Sequence, residues 1–315
     1  MLDIITIGEM LIDLTQTGIS ETGIPVYNAF PGGALANVAV AAAKLGAKTG
    51  FIGKVGNDAF GNLLVETLKQ NNVNTDNMII SDQANTTLAV VSLKDGGERD
   101  FAFYRKGFAD TRLSESEISN SVLQSAHIVH FGSVSMTEEP SRTATISAVH
   151  RAKEMGAAIS YDPNYRANLW GGREEAIKMM KKPLNMVDIL KVSDDELPLL
   201  SGNSDIGKGA EVLAKEFNIP LVLVTLGSKG AYYLLGDHKG LSEGIKVTVA
   251  DTNGAGDTFL GAFLSGMVKL GKYDPSSLTN DEVKKLLAFS NKAASITASR
   301  SGAIPAMPSY DEVIR

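Results

Sequence analysis

Residues 251–263, DTNGAGDTFLGAF, place three glycines and two aspartates at the start of an apolar stretch and include no Lys, Arg or His. Small residues let the backbone approach a ligand closely, and the first N–H groups of a helix have no partner within that helix. The pattern therefore predicts an anion site built without cations. Asp257 has two interpretations: an N-terminal acid that favours the helix dipole, or a general base that takes a proton from an alcohol while nearby N–H groups stabilise a transferring phosphoryl group.

A second glycine pair, Gly32 and Gly33, precedes another predicted helix in PGGALANVAVAAAKLG at 31–46. A strand-to-helix turn explains this pattern, with Asn37 as a buried polar residue. The alternative is a site for a hydroxyl-rich substrate, because the Asn amide both donates and accepts hydrogen bonds. Asp13, just past the first predicted strand, would then add a carboxylate acceptor for two hydroxyls.

Three further polar stretches follow apolar runs: YDPNYRANLW at 161–170, KVSDDE at 191–196 and VTLGSKG at 224–230. Open α/β sheets bind ligands at the carboxyl ends of their parallel strands, which favours a functional interpretation. Asp-Pro-Asn is also an ordinary turn composition. On the functional interpretation Glu196 orients a magnesium-bound water, and Thr225 and Gly227 touch a nucleotide.

The sequence lacks the motifs or the composition that are typical of several other classes of protein. The Walker pattern G-x-x-x-x-G-K-[ST] is missing, GKVGNDAFG at 53–61 does not match a dinucleotide fingerprint, and neither a Ser elbow nor a metalloprotease motif occurs. The 30 basic and 36 acidic residues give a net charge of −6 without a basic cluster, which argues against a nucleic-acid partner. The chain has no cysteine, which excludes disulfides, thiolate metal sites and a cysteine nucleophile. The apolar N-terminus contains three acids and no basic lead, so we expect no signal peptide, no membrane association and a cytoplasmic protein.

The elements that must position these residues form an alternating pattern. IITIG at 4–8 predicts a buried strand, and ANVAVAAAKLGA at 36–47 predicts a helix that Gly46 ends. Strand followed by helix recurs along most of the chain. We therefore expect an α/β fold in which helices flank both faces of a mostly parallel central sheet.

Two stretches break this alternation and predict a small antiparallel β lid, formed by 14–31 and 85–110. TTLAVVSL and RDFAFYR look like a hairpin whose turn contains Asp95, Gly96 and Gly97. The remaining ranges, 1–13, 32–84 and 111–315, would form the nucleotide- and sugar-binding core. The lid would either cover a cleft or form a homodimer surface.

Taken together, GGALANVAVAAAKLGAKTGFIGKVG at 32–56 and DTNGAGDTFLGAFL at 251–264 resemble the two signature patterns of the ribokinase, or phosphofructokinase-B, family of carbohydrate kinases. The resemblance runs from IGEMLIDL near the N-terminus to the closing SGAIPAMPSYDEV. It implies a ribokinase-like fold, ATP as phosphoryl donor and Asp257 as the catalytic base. It also implies an anion hole made by the N–H groups of Gly254, Ala255, Gly256 and Asp257, where losing one donor typically costs about 2.7 to 4 kcal/mol of transition-state stabilisation.

The same resemblance assigns the remaining binding residues. The sugar would be held by Asp13, Gly32, Gly33 and Asn37, with Arg105 and Arg166 near its pocket. The nucleotide would lie at Ser193, Thr225, Gly227, Gly230, Asn253, Gly254, Gly256 and Asn291.

One position departs from the family pattern, which usually has Asn, two residues and then Glu in its magnesium-linked motif. Here Ser193 replaces the Asn while Glu196 is present, so we expect Mg²⁺ dependence to persist. The resemblance also implies a monovalent cation, K⁺, beside the anion hole. Its ligands would come from Asp251, Asn253, Thr297, Arg300 and Gly302.

The identity of the sugar depends on two stretches, FYRKGFAD at 103–110 and DPNYRANLW at 162–170, which look like those of fructokinases and 2-keto-3-deoxygluconate kinases. Ala109, Asp110 and the Leu-Trp pair favour fructose, phosphorylated at its 6-hydroxyl to fructose 6-phosphate. The keto acid is the alternative, and its carboxylate would require a dedicated cation. A non-catalytic sugar or nucleotide sensor is a third hypothesis, which the complete Gly-Ala-Gly-Asp group disfavours.

Overall fold

Apolar strands and helices alternate along most of the chain in the computed structural model, which describes residues 1–93 and 99–315. The strands are β1 (Leu2–Ile7), β2 (Leu11–Ile19), β3 (Pro25–Gly32), β4 (Thr49–Gly56), β5 (Val73–Asn74), β6 (Met78–Ser81), β7 (Leu88–Leu93), β8 (Arg99–Tyr104), β9 (Ala126–Gly132), β10 (Ala158–Asp162), β11 (Ile189–Ser193), β12 (Leu221–Thr225), β13 (Gly230–Leu235) and β14 (His238–Glu243). The helices are α1 (Ala34–Lys44), α2 (Ala59–Gln70), α3 (Asn120–Gln124), α4 (Ser141–Glu154), α5 (Arg173–Lys181), α6 (Leu197–Ser201), α7 (Ile206–Phe217), α8 (Ala255–Lys269), α9 (Asn280–Ala298) and α10 (Tyr310–Ile314).

The central sheet has the strand order β14-β13-β12-β11-β10-β9-β1-β4-β5, and β6 also pairs with β4. All of its pairs are parallel except those of β13 and β14, which add an antiparallel edge. Parallel pairing brings the carboxyl ends of β1, β9, β10, β11 and β12 to one edge, where ligands bind in such sheets. The predicted α/β fold is confirmed.

Both faces of this sheet are covered by apolar side chains, as expected for parallel strands buried on two sides. Successive residues of β1 point to opposite faces: Ile4 packs with residues of α1, α8 and α9, whereas Ile5 packs with residues of α4. The helices that supply the site, α1 and α8, therefore lie side by side on one face. Within residues 1–93 and 99–315, no helix is both long and apolar enough to cross a membrane.

A second, smaller sheet has the order β3-β2-β7-β8, and we call it the lid sheet. The pairs β2–β3 and β7–β8 are antiparallel, as predicted, but β2 and β7 join the two hairpins in parallel. The lid sheet begins at Leu11 rather than at residue 14, so Asp13 belongs to it and not to the central sheet. The predicted turn at Asp95, Gly96 and Gly97 lies outside the described residues.

Candidate active site

The loop before α8 forms a tight turn at Gly254, whose φ is +74°. A Cβ at this position would lie 2.9 Å from the Cβ of Ala303, so only glycine fits against the chain there. The Thr258 N–H bonds back to the Gly254 carbonyl at 2.8 Å, and the amides of Gly256 and Asp257 lie in the first helical turn before that bond. Those amides fit the predicted anion site, but the Ala255 N–H already donates to the Thr252 carbonyl at 3.3 Å.

Asp257 lies in the first turn of α8, where the Asn37 amide nitrogen donates a 2.8 Å hydrogen bond to its Oδ2. Burial raises the pKa of the Asp257 carboxyl, while the Asn37 hydrogen bond and the nearby charge of Lys191 act in the opposite direction. The carboxyl is therefore desolvated, and Asn37 and Lys191 both favour its proton-accepting form against the effect of burial. This environment suits a general base better than a simple helix cap.

The contact between Asn37 and Asp257 depends on a close crossing of α1 and α8. A Cβ at Gly261 would lie 2.7 Å from the Ala41 Cβ and 2.9 Å from the Val38 carbonyl oxygen. Glycine at this position thus lets the two helix backbones approach. Helix packing is what brings two side chains that are 220 positions apart within hydrogen-bond distance.

A cation that the sequence reasoning missed lies beside the anion loop. Lys191, on the central strand β11, is buried, and its Nζ is 2.5 Å from Asp162 Oδ2. A Cβ at Gly256 would be 3.4 Å from this Nζ, so the ammonium group approaches the start of α8. Burial alone would lower the pKa of Lys191, but Asp162, Glu196 and Asp257 reverse that effect and raise it.

The prediction of an anion site without cations is therefore wrong for the whole site, although it holds for the segment 251–263. An ammonium group beside a helix N-terminus meets a positive partial charge, and a bound anion would relieve this repulsion. The sequence did contain a signal, because Lys191 interrupts the otherwise apolar run Ile189–Val192. A charged residue at a buried strand position needs a partner and is often functional.

A cavity of about 370 Å³ opens in front of Asp257, between the carboxyl edge of the central sheet and the lid sheet. Seven predicted site residues line it: Asp13, Gly33, Asn37, Arg166, Asn253, Gly254 and Asp257. The sequence reasoning had not assigned the other lining residues, which are Glu9, Leu11, Ala34, Phe103, Val134, Asn164, Asn168, Leu169 and Ala303. Two larger depressions, of about 590 and 650 Å³, lie at the opposite edge near the strand amino ends and contain none of these residues.

The glycine pair that precedes α1 makes room for polar groups of the cavity. A Cβ at Gly32 would lie 2.4 Å from Asp13 Oδ2, so the missing side chain leaves space for that carboxylate. Gly33 has a φ of +109°, and its Cβ would lie 2.7 Å from the Glu9 carbonyl oxygen. Both glycines are therefore required by the local packing, and they place Asp13 and Asn37 at the same cavity.

Arg105, predicted to lie near the sugar pocket, is not among the residues that line the cavity. Its Nε bonds to Asp110 at 2.6 Å, one terminal nitrogen bonds to the Val134 carbonyl at 3.0 Å, and the other bonds to the Thr137 hydroxyl. The guanidinium is buried behind the residues that line the cavity, because these acceptors satisfy its N–H donors there. Arg166, by contrast, lines the cavity as predicted.

Glu196 connects two strand ends through both of its carboxylate oxygens. Oε1 accepts the Tyr165 N–H at 2.6 Å, and Oε2 accepts the Ser193 N–H at 2.9 Å. The Ser193 hydroxyl accepts the Glu196 N–H at 3.2 Å, so Ser193 and Glu196 bond to each other in both directions. With two N–H groups on the carboxylate, the arrangement fits an indirect contact to Mg²⁺ through water better than direct ligation.

Four of the predicted nucleotide residues, Ser193, Thr225, Gly227 and Gly230, lie outside this cavity at the same edge of the sheet. Thr225 ends β12 opposite Ser193 of β11, and Gly227 and Gly230 follow in the next turn with φ values of +56° and +101°. The Asn291 amide nitrogen donates at 3.1 Å to the carbonyls of Ser242 and Glu243 and to the Ser242 hydroxyl. Asn291 thus holds β14 against α9 in this structure.

The residues predicted to hold a monovalent cation converge next to the anion loop. Asp251 accepts the Asn253 N–H at 3.0 Å and the Gly302 N–H at 3.2 Å. The Arg300 side chain is paired with Glu312 at 2.6 Å and is not free to reach this loop. The Thr297 hydroxyl donates to the Thr258 hydroxyl at 3.1 Å, which anchors α9 to α8.

The chain is similar to known proteins over nearly its whole length. The model of the "pfkB family carbohydrate kinase" matches residues 1–309. "Probable fructokinase-5" of Arabidopsis thaliana is 44% identical over 310 residues, which cover 97% of this chain and 94% of that protein.

Solved structures match over almost the whole fold. The fructokinase of Xylella fastidiosa with bound ATP has a TM-score of 0.91 at 30% identity, with 99% of this chain and 97% of that chain covered. The fructokinase of Vibrio cholerae O395 in a form with fructose, ADP and calcium has a TM-score of 0.88 at 31% identity, with coverages of 99% and 98%. Because the family model spans nearly the entire sequence and the fold matches solved sugar-kinase structures, this chain belongs to the pfkB family of carbohydrate kinases.

Proposed function

We propose that this carbohydrate kinase transfers the γ-phosphoryl group of ATP to the 6-hydroxyl of D-fructose. The observation that supports this most directly is Asp257, held by Asn37 at the base of a polar cavity and next to the first amides of α8. The similar proteins named above include a fructokinase with fructose and ADP and a fructokinase with ATP. The cavity and the anion loop offer adjacent places for these two substrates.

In the proposed reaction the sugar oxygen attacks the γ-phosphorus, and its proton passes to the Asp257 carboxylate. A new P–O bond to the sugar forms as the bond to the β-phosphate oxygen breaks, and ADP leaves with the electron pair. The first-turn amides of α8 and the ammonium of Lys191 stabilise charge on the moving phosphoryl group. Asn37 keeps Asp257 oriented and favours its ionised form before the transfer.

The charges in the cavity favour a neutral sugar over 2-keto-3-deoxygluconate. Among the described residues that line it, Arg166 is the one cation, whereas Glu9, Asp13 and Asp257 are acidic. Arg105, the second cation suggested by the sequence, is committed to Asp110. A carboxylate substrate would therefore meet mostly like charge.

We propose Mg²⁺ as the cofactor: it would neutralise charge on the ATP phosphates, and Glu196 would hold a water of its hydration shell. K⁺ is proposed for the loop of Asp251, Asn253 and Gly302, together with carbonyls near Thr297 and Arg300. The convergence of Asp251 on this loop supports that assignment. Activity titrated with Mg²⁺ and with K⁺ against Na⁺ tests the two ions separately.

The lid sheet is proposed as a homodimer surface. Its outer strands β3 and β8 are unpaired edges within the described sheet. The lid sheet and its turn also expose large apolar side chains, namely Ile19, Ile24, Val26, Tyr27 and Tyr104. Light scattering of the protein and of Tyr27→Asp tests this, with a dimer expected for the first and a monomer for the second.

We also propose a cytoplasmic location, where ATP is available.

The test of the function is a kinase assay of the purified protein with ATP and Mg²⁺ over a panel of sugars. We expect fructose to give the highest kcat/KM and the product to be fructose 6-phosphate by NMR. Turnover of 2-keto-3-deoxygluconate without turnover of fructose would assign the alternative substrate. Sugar-induced thermal stabilisation without ATP consumption for any sugar would instead indicate a sensor.

A further inference from the structure

The chain passes between the central sheet and the lid sheet four times in the described ranges, and the four crossings meet at one buried place. Gly8 to Met10 connects β1 to β2, and Gly33 connects β3 to α1. Residues 82–87 lead from β6 into β7, and residues 105–110 follow β8 back to the core. We call the polar side chains at this place, Glu9, Thr87, Arg105 and Asp110, the crossing cluster.

Arg105 and Asp110 form the centre of the crossing cluster. Arg105 Nε lies 2.6 Å from Asp110 Oδ2, and Asp110 Oδ1 accepts a hydrogen bond from the Thr87 hydroxyl. The rest of the guanidinium bonds to the Val134 carbonyl and to Thr137, both of which follow β9 of the central sheet. One ion pair therefore ties two lid crossings to each other and to the core.

Glu9 connects the cluster to the other two crossings, those between β1 and β2 and between β3 and α1. The Ala34 N–H at the start of α1 acts on its carboxyl to lower the pKa, and its carbonyl oxygen packs against Gly33. The side chain is only 3% exposed, and its Oε2 has no hydrogen-bond partner among the described residues. Arg105 and Asp110 both act electrostatically on this carboxyl, so the pair and Glu9 share one buried environment.

Glu9 of the crossing cluster lines the sugar cavity, and the other members of the cluster lie directly behind it. Phe103, two residues before Arg105, lines the cavity, and so does Val134, whose carbonyl Arg105 holds. Asp13 reaches the cavity from β2, the strand that follows Glu9. Any change in the angle of the lid sheet at these crossings would move Asp13 and Phe103 relative to Asp257.

A buried ion pair contributes little net stability, because the desolvation of both ions offsets their attraction. The side chains of Arg105 and Asp110 are 2% and 1% exposed, so this cost applies in full. What such a pair supplies is a single geometry, since its hydrogen bonds are satisfied in one arrangement only.

We propose that Arg105 and Asp110 are positioning residues that act as one unit with Glu9 to hold the lid sheet over the sugar cavity, without touching the sugar. This inference rests on the proposed sugar kinase function and specifies how that site is kept in shape. It predicts an effect on sugar use rather than ATP use, because Asp13 and Phe103 belong to the lid sheet, whereas none of the predicted nucleotide residues does.

The test compares Arg105→Lys, Asp110→Asn and the double variant with Arg112→Lys as a matched control. Arg112 is exposed, lies two residues after the fourth crossing and bonds to the Gly107 carbonyl. We expect each single change to raise the KM for fructose at least about tenfold with the KM for ATP within about twofold, and the double change to be no worse than the more damaging single one. Arg112→Lys should match the unchanged protein.

Two outcomes in the kinetics would overturn the proposal. Effects that multiply in the double variant would mean that the residues act separately, and damage from Arg105→Lys without damage from Asp110→Asn would mean that the guanidinium touches the sugar. If the unchanged protein and Arg112→Lys phosphorylate no sugar, the proposed function fails instead.

Hydrogen exchange on the unchanged protein supplies a measurement that does not depend on activity or on the folding of a variant. Amides at 8–10, 33–34 and 105–110 should exchange more slowly than those of the lid strands β2 and β3. Exchange at the crossings as fast as in the lid strands would refute the positioning role. In a folded Asp110→Asn variant, we expect faster exchange in β2 and β3 and unchanged exchange in β1 and β9.

Discussion

Asn37 on α1 donates a 2.8 Å hydrogen bond to the carboxylate of Asp257 on α8, and the acceptor is the group proposed to take the sugar proton. The bond links the polar residue of one glycine-rich stretch to the acid of the other. Asn37 Oδ1 has no partner among the described residues and is buried at the cavity, so the same amide can accept from a sugar hydroxyl. One side chain thus orients both the base and the substrate.

Asp257→Asn should lower kcat by about 10²- to 10⁴-fold, because the amide cannot accept the proton in the transition state. The isosteric change relieves a buried charge, so we expect the melting temperature to be equal or higher. Turnover assays and thermal unfolding check both statements. Retention of near-normal kcat would show that Asp257 is not the base.

Asn37→Ala should raise the pKa of Asp257, because it removes the hydrogen bond that opposes the effect of burial. A base works when deprotonated, so the acid limb of the kcat profile should move to higher pH. We expect activity lost at pH 6 to recover in part at higher pH. A uniform loss of kcat at every pH would assign Asn37 to substrate binding alone.

The fold and the centre of the site could be predicted from local sequence patterns. Apolar strands followed by helices indicate a parallel sheet, and the glycines before α1 and α8 indicate sharp turns at its ligand-binding edge. Four predicted residues line one cavity: Asp13, Asn37, Arg166 and Asp257. Each was predicted because it lies close in sequence to the end of an apolar strand or to a glycine turn.

The contacts that the sequence could not predict depend on tertiary packing. Lys191 belongs to the site only because β11 lies beside β10 and Gly256 admits its ammonium group. Arg105 lies behind the cavity rather than in it because Asp110, Val134 and Thr137 provide buried acceptors there. No local pattern reports which distant group will satisfy a long charged side chain.

Lys191→Met should reduce kcat by about a hundredfold, the usual cost of losing one group that stabilises transition-state charge. The change also leaves Asp162 buried without its ammonium partner, which itself destabilises the protein. The double change Lys191→Met with Asp162→Asn controls for this, because it removes both charges. We expect it to recover thermal stability but not kcat, and recovery of kcat would limit Lys191 to a structural role.

Glu9→Gln should stabilise the protein above pH 7 and leave it nearly unchanged below pH 4.5. Burial raises the pKa of Glu9 from 4.5 to about 7, with the neighbouring Arg105 opposing and Asp110 supporting the shift. Folding therefore favours the protonated acid, and that contribution, about 3 kcal/mol, is lost as the pH rises through 7. Glutamine stays neutral, so denaturant unfolding at pH 5 and pH 8 should show the difference between variants growing with pH. An equal difference at both pH values would place the carboxyl in a solvated environment.

Gly261→Ala should impair both stability and catalysis, because the added methyl group would meet Ala41 and the Val38 carbonyl at the crossing of α1 and α8. Overpacking of this kind costs about 1 to 3 kcal/mol, and separating the helices would lengthen the bond between Asn37 and Asp257. Gly266→Ala is the matched control on the same helix, since its methyl group meets only the flexible end of Leu286. Unfolding and kcat measurements should therefore show a loss in both quantities for Gly261→Ala and unchanged kcat for Gly266→Ala. Normal kcat in a destabilised Gly261→Ala protein would show that the base does not depend on the spacing of these two helices.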